Sequence, residues 1–194
     1  MEGELCKDLF MAIGLGFLFI EIAFIQKFIL ILHHPLYAAA LVISSFLLFA
    51  GLGSLYSQSL AGQKQSRNIL RLAVSAITIL GLGLLLFFNY LPDVIISLNY
   101  WLKALLSLAL IAPLAFFMGM PFPLAVSVLS KKHENLIPWA WAVNGCASVI
   151  SAVLATLLAI QFGFSVVIIL ALILYIVAAV SFPKVSVPAF NSNA

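Results

Sequence analysis

Charge is what this sequence has least of. Only 8% of its 194 residues are Asp, Glu, Lys or Arg, against about 25% in ordinary soluble domains. A soluble globular surface is thereby excluded, and the net charge of +3 gives no support for nucleic-acid binding. The six acids, Glu2, Glu4, Asp8, Glu21, Asp93 and Glu134, are too few and too scattered for a cofactor pocket with a catalytic acid. No strand, glycine turn and helix unit for a nucleoside is present either, so no cofactor is expected. Cysteine is nearly absent: Cys6 and Cys146 form no ligand spacing and no disulfide framework, and they leave the redox compartment unread. His33 and His34 stand before Pro35 at the end of an apolar run, where an interfacial loop explains them, and they lack the further ligands a metal needs. His133 and Glu134 read as a solvated loop.

What fills the sequence instead is apolar residue, 65% of the chain. A bilayer core about 30 Å thick takes about 20 apolar residues of helix. On that ruler the chain divides into six spans, roughly 9 to 32, 36 to 58, 69 to 90, 102 to 120, 138 to 161 and 164 to 182. The runs are long and continuous, whereas strands of a membrane barrel would alternate over about ten residues. The fold class is all-α, a polytopic transmembrane bundle over residues 1 to 184 with a short tail at 185 to 194. The start, "MEGELCKDLF", has two acids before its first lysine and no small-residue cleavage pattern, so the first run is expected to stay as a helix.

Orientation follows from the basic residues. With the N-terminus inside, Lys7, Lys64, Arg67, Arg71, Lys131, Lys132 and Lys184 fall on the cytoplasmic side and Lys103 on the outer one, which is the positive-inside pattern. Tyr90, Tyr100 and Trp101 then mark the outer interface, and Trp139 and Trp141 the inner one.

The fourth span is not a plain rod. "IAPLAFFMGMPFPLAVSVLSKK" places Pro113 in mid-span and Pro121 and Pro123 around Phe122, and each proline removes a backbone donor. Residues 101 to 130 as one helix would run about 45 Å, too long for the bilayer. A break is expected from Gly119 to Pro123, followed by a short helix near the inner surface. Such breaks line buried or wet sites or only shape packing. On the fifth span, Ala147, Ser151 and Ala155 recur every four residues beside a parallel row of Ser148, Ala152 and Thr156. Close approach of another backbone is expected there, with this helix central to the bundle. Three "GLG" triplets, at Gly14, Gly51 and Gly81, read as packing glycines.

One stretch combines grease and charge: "GLGFLFIEIAFIQKFILIL", with Glu21, Gln26 and Lys27. On an ideal helix Glu21 and Lys27 are about 120° apart around the axis and about 9 Å along it, so they do not make an i, i+4 pair. Lys27 is five residues from the end of its span and can carry its ammonium to the interface on its long stem. Glu21 is near mid-depth, where a charged carboxylate facing lipid costs several kcal/mol. Gly14, one heptad earlier, puts it on a face that another helix can approach. Two readings stand: a protonated acid hydrogen-bonded to a polar group such as Asn144 or Ser148, or a proton- or cation-responsive site. Glu21, Gln26, Asn144 and Ser148 are therefore the candidate site residues.

"GFLFIEIAFIQKFILILHHPLYAAALVISSFLLFAGLGSLYS" and "FFMGMPFPLAVSVLSKKHENLIPWAWAVNGCASVISAVLATLLAIQFGFS" resemble the membrane-embedded part of large bacterial spermidine synthase-like multi-pass proteins. The resemblance covers about residues 14 to 180 and rests on the E-x4-QKF, H-P, G-x-GS, G-M-P-F-P and W-A-W-x-x-N-G elements together. It implies a bacterial inner-membrane location and a bundle similar to half of a major-facilitator-type transporter. Its partner would be a second membrane module, another copy of the chain or a soluble synthase-like protein. The aminopropyl-transfer domain of that family has no counterpart here, so polyamine synthesis is not assigned. The alternative reading, from another class, is a membrane anchor or scaffold for such an enzyme or for a larger complex. A membrane enzyme ranks below both, since no nucleophile, metal cluster or acid pair is visible.

The orientation is testable by labelling. In a cysteine-free background, a membrane-impermeant thiol reagent applied from outside should modify a cysteine placed at Asp93 and spare one placed at Gln65. The reverse pattern would invert the topology.

Overall fold

The computed structural model describes residues 2 to 60, 66 to 90, 99 to 132 and 134 to 182, and all regular structure there is helical. The helices are α1 (Glu2–Leu32), α2 (Pro35–Leu60), α3 (Ser66–Tyr90), α4 (Tyr100–Met118), α5 (Pro121–Lys132), α6 (Ile137–Phe162) and α7 (Phe164–Val180), with a 3-10 turn at Glu134–Leu136. Five helical stretches are long and apolar enough to cross a membrane, and α7 is a shorter apolar helix beside them. The loop holding Lys64 and Gln65, the segment around Asp93, His133, Lys184 and the 185 to 194 tail lie outside the described residues.

Short connections set the directions. Between α1 and α2, His33 adopts a left-handed φ of 56°, which closes α1 in the way a helix-ending glycine usually does. Pro35 then opens α2, where a proline gives up only a donor that is unpaired in any case. Between α6 and α7 a single residue, Gly163, turns the chain at φ 84°, a conformation that glycine adopts without penalty.

Distant parts of the chain become neighbours. Helix α1 runs parallel to α6: Lys7 stands over the Trp139 ring at one end, and further along Gly14 meets Asn144 and Ala147. The Ser151 hydroxyl donates across to the Leu15 carbonyl at 2.9 Å. Most other hydroxyls spend their donor within their own helix, as Ser148 does on the Asn144 carbonyl and Thr78 on that of Val74. Helix α2 runs parallel to α4, with Tyr37 and Trp101 at one end of their shared groove and Gly53 pressed on Phe116 towards the other. Helix α7 returns along α1, bringing Ala171 and Tyr175 to Gly16 and Phe164 to Lys27. It also packs against α3, where Leu172 meets Gly81.

The small-residue row read on the fifth span is buried: Ala147, Ser151 and Ala155 are at most 4% exposed. The centre of the bundle, however, is α1 and not that helix. Half of the apolar window of α1 is buried, against 17% for α6. The row lets α6 approach a single close neighbour, α1, while Val149, Val153, Leu157 and Ile160 on its other faces are exposed to what would be lipid. Around α1 an aromatic cluster joins Phe24 to Phe28, Phe46 and Phe88, with centroids 5.8 to 5.9 Å apart.

The glycine triplets divide by contact. A Cβ at Gly53 would overlap the Phe116 carbonyl, whereas one at Gly83 meets nothing within 4 Å. Gly53→Ala should therefore lower stability by about 1 to 3 kcal/mol through overpacking. Gly83→Ala should raise it by up to about 1 kcal/mol through helix propensity. Thermal unfolding in detergent, followed by circular dichroism, measures both; equal shifts would refute the close crossing of α2 and α4.

Candidate functional site at the helix break

The sequence "FFMGMPFP" interrupts the fourth span because its prolines cannot supply the helix with donors. Helix α4 passes through Pro113 unbroken and ends at Met118. Gly119 still donates to the Ala115 carbonyl at 3.0 Å, but Met120 turns back onto Phe117 at 3.2 Å. The Phe117 carbonyl thus accepts from Met120 in place of Pro121, which has no N–H. Gly119 is left without a helical donor, because its i+4 residue is Pro123. The chain resumes as α5 at Pro121. The break can sit against α2 because Gly119 has no side chain there: a Cβ would collide with the Ala50 backbone.

Beside the break is a cleft of about 440 Å³. Its walls are Ile13, Gly14 and Phe17 of α1, Leu47, Ala50, Gly51 and Ser54 of α2, Met118 and Gly119 at the break, Phe122 and Pro123 of α5, and Trp141, Asn144 and Ser148 of α6. Four spans, one of them broken into α4 and α5, therefore converge on it. Phe122 is held from two sides, edge-on to Trp141 at 4.7 Å and to Phe10 at 5.5 Å. The rim is open, with Leu47 66% and Trp141 59% exposed.

Asn144 is the distinctive wall. Its side-chain oxygen is buried with no hydrogen-bond partner and lies against Gly14, 2.9 Å from where a Cβ on that glycine would sit. The carboxamide is therefore not spent on joining helices. Among the described residues its NH2 group has no hydrogen-bond partner either, and Asn144 lines the cleft.

The structure thus gathers Asn144, Ser148, Gly119 and Pro123 at one place, with Pro121 buried next to them. Glu21 and Gln26 are elsewhere. Glu21 is buried, 8% exposed, but it is seven residues beyond Gly14, about 10 Å further along α1. No hydrogen bond or ion pair reaches it among the described residues. Asn144 and Ser148 are not its partners, because they pack at the level of Gly14 and the Ser148 hydroxyl donates to its own helix. Gln26 is half-buried one turn further on. Lys27 does not pair with Glu21; its ammonium stands over the Phe164 ring at 4.3 Å and the Phe88 ring at 5.7 Å, a cation–π contact at the far end of the bundle.

Sequence reasoning missed the α1 and α2 walls of the cleft, Phe17 and Ser54 among them, since nothing in a single chain tells which apolar face meets a break. It also missed Tyr175, fully buried with an unpartnered hydroxyl. The available signal was its isolation as the one polar aromatic in "FSVVIILALILYIVAAV".

The fold and cleft define a polytopic helical membrane protein with a largely apolar recess, carrying a few neutral polar groups, at a broken span. Comparison with protein families, with characterised proteins and with solved structures gives no match for the chain.

A buried polar group without a partner costs about 1 to 3 kcal/mol. Glu21→Leu should therefore raise the thermal stability of the purified protein by a comparable amount. A drop in stability would reveal a partner for the carboxyl.

Proposed function

We propose that the chain is one module of a two-module membrane transport unit, resembling half of a major-facilitator-type carrier, seated in a bacterial cytoplasmic membrane with both ends inside. The observation that carries this reading is the cleft: four spans contribute to it, it contains a helix break, and its rim is exposed on one side. Broken helices at the meeting of structural repeats are where carriers place their substrates. A single six-helix module offers one wall of such a site and needs a second module opposite.

The pattern of packing supports the same reading. If the first three spans (α1, α2, α3) are exchanged with the last three (α4, α6, α7), the pair α1 and α6 becomes α4 and α2. Likewise α1 and α7 becomes α4 and α3, and α3 with α7 maps onto itself. All of these pairs are in contact, whereas α1 with α2 and α6 with α7 have no comparable exchanged counterpart. The three-plus-three inverted repeat inside each half of such carriers gives this exchange.

Native mass spectrometry of the protein extracted in mild detergent tests the proposal. The expected species is a homodimer, or a complex with a second multi-span membrane protein. A chain recovered alone with a soluble synthase-like protein would replace this reading by the scaffold one.

A further inference from the structure

Resting on the proposed role of the cleft as one wall of a transport site, we infer that it binds an uncharged, largely apolar molecule through a carbonyl or amide group held by Asn144. The chemistry of the walls selects this class. Among the described residues no Lys, Arg, Asp or Glu lines the cleft, so a charged ligand would be desolvated there without a counterion from them, a heavy penalty in a low-dielectric site. Phe17, Phe122 and Trp141 provide flat apolar surface, and Phe122 is already fixed between Phe10 and Trp141. The volume lies within the range of small-molecule sites, about 300 to 1,000 Å³.

Polar recognition comes from few groups. The Asn144 NH2 is a donor with no partner among the described residues, and it suits a ligand carbonyl. Gly119, also in the wall, has a backbone carbonyl that Pro123 cannot satisfy, and it suits a ligand N–H. A primary amide offers both. The polar residues that remain, Ser54 and Ser148, are neutral as well. No described side chain in the recess carries a full charge of either sign.

Gly51 provides the control. It lines the cleft, and a Cβ there meets nothing within 4 Å, so Gly51→Leu starts from open space and puts its added volume at the cleft wall. The probes are three tritiated compounds sharing one ring: 1-naphthaleneacetamide (neutral), 1-naphthaleneacetate (anion) and 1-naphthylmethylammonium (cation). Each is titrated by scintillation proximity against the protein in nanodiscs, with empty nanodiscs subtracted. The amide should bind at least about tenfold tighter than either ion. Asn144→Leu should weaken it by up to about tenfold, the worth of one hydrogen bond, and Gly51→Leu should abolish binding while the unfolding temperature holds. Tighter binding of an ion, binding unaffected by Gly51→Leu, or no amide binding above empty nanodiscs would overturn the inference. None of these results depends on the oligomeric state, so the ligand class can fail while the two-module reading stands, and the reverse.

Discussion

Lipid tails are as apolar as leucine, so helices inside a bilayer are not driven together by escape from water. Association has to come from close contact and from the few polar groups able to reach across. In this bundle the contact is made by backbones. Gly14 lies on the Asn144 main chain, Gly53 on Phe116, Gly119 on Ala50, and Gly16 and Gly81 receive side chains of α7. Across the α1 and α6 seam the Ser151 hydroxyl adds a hydrogen bond to the Leu15 carbonyl. The arrangement of the remaining helices follows from these few crossings.

The cleft is a by-product of the same crossings. Gly119 ends α4 and also touches α2, and Gly14 lies under α6 and also forms a wall of the cleft. The proline pair then prevents α5 from continuing the line of α4. A recess between tightly joined helix pairs is left over, and the Asn144 carboxamide in it is a group the helices did not use. Its chemistry is neutral because the charged residues are at the bundle ends or, in the case of Glu21, about two turns away along α1.

Much of this was legible in the sequence, and for stated reasons. Continuous apolar runs gave the spans because membrane thickness fixes helix length. "GMPFP" marked the interruption because proline has no N–H to donate, and the spacing of Ala147, Ser151 and Ala155 marked the buried face of α6. The partner of Glu21 was misread because depth along a helix does not say which neighbour stands at that depth. Asn144 is on the adjoining helix but a heptad lower. The central helix was misread as well: small residues show that one neighbour comes close, not how many do, and the long aromatic face of α1, with Phe17, Phe24 and Phe28, gathers more of the bundle. Glycines of one triplet also differ in role, as Gly51 and Gly53 do, because the sequence does not reveal which way each faces.

The parallel pairing of α1 with α6 also bears on how the chain is made. Ser151 and Leu15 are 136 residues apart, and at a synthesis rate of about 5 to 20 residues per second the second is in place on the order of ten seconds before the first emerges. During that interval α1 stands without its closest neighbour, with the backbone at Gly14 open to other contacts. The helix that organises the finished bundle is thus the first one made, and its closest seam is among the last contacts to form.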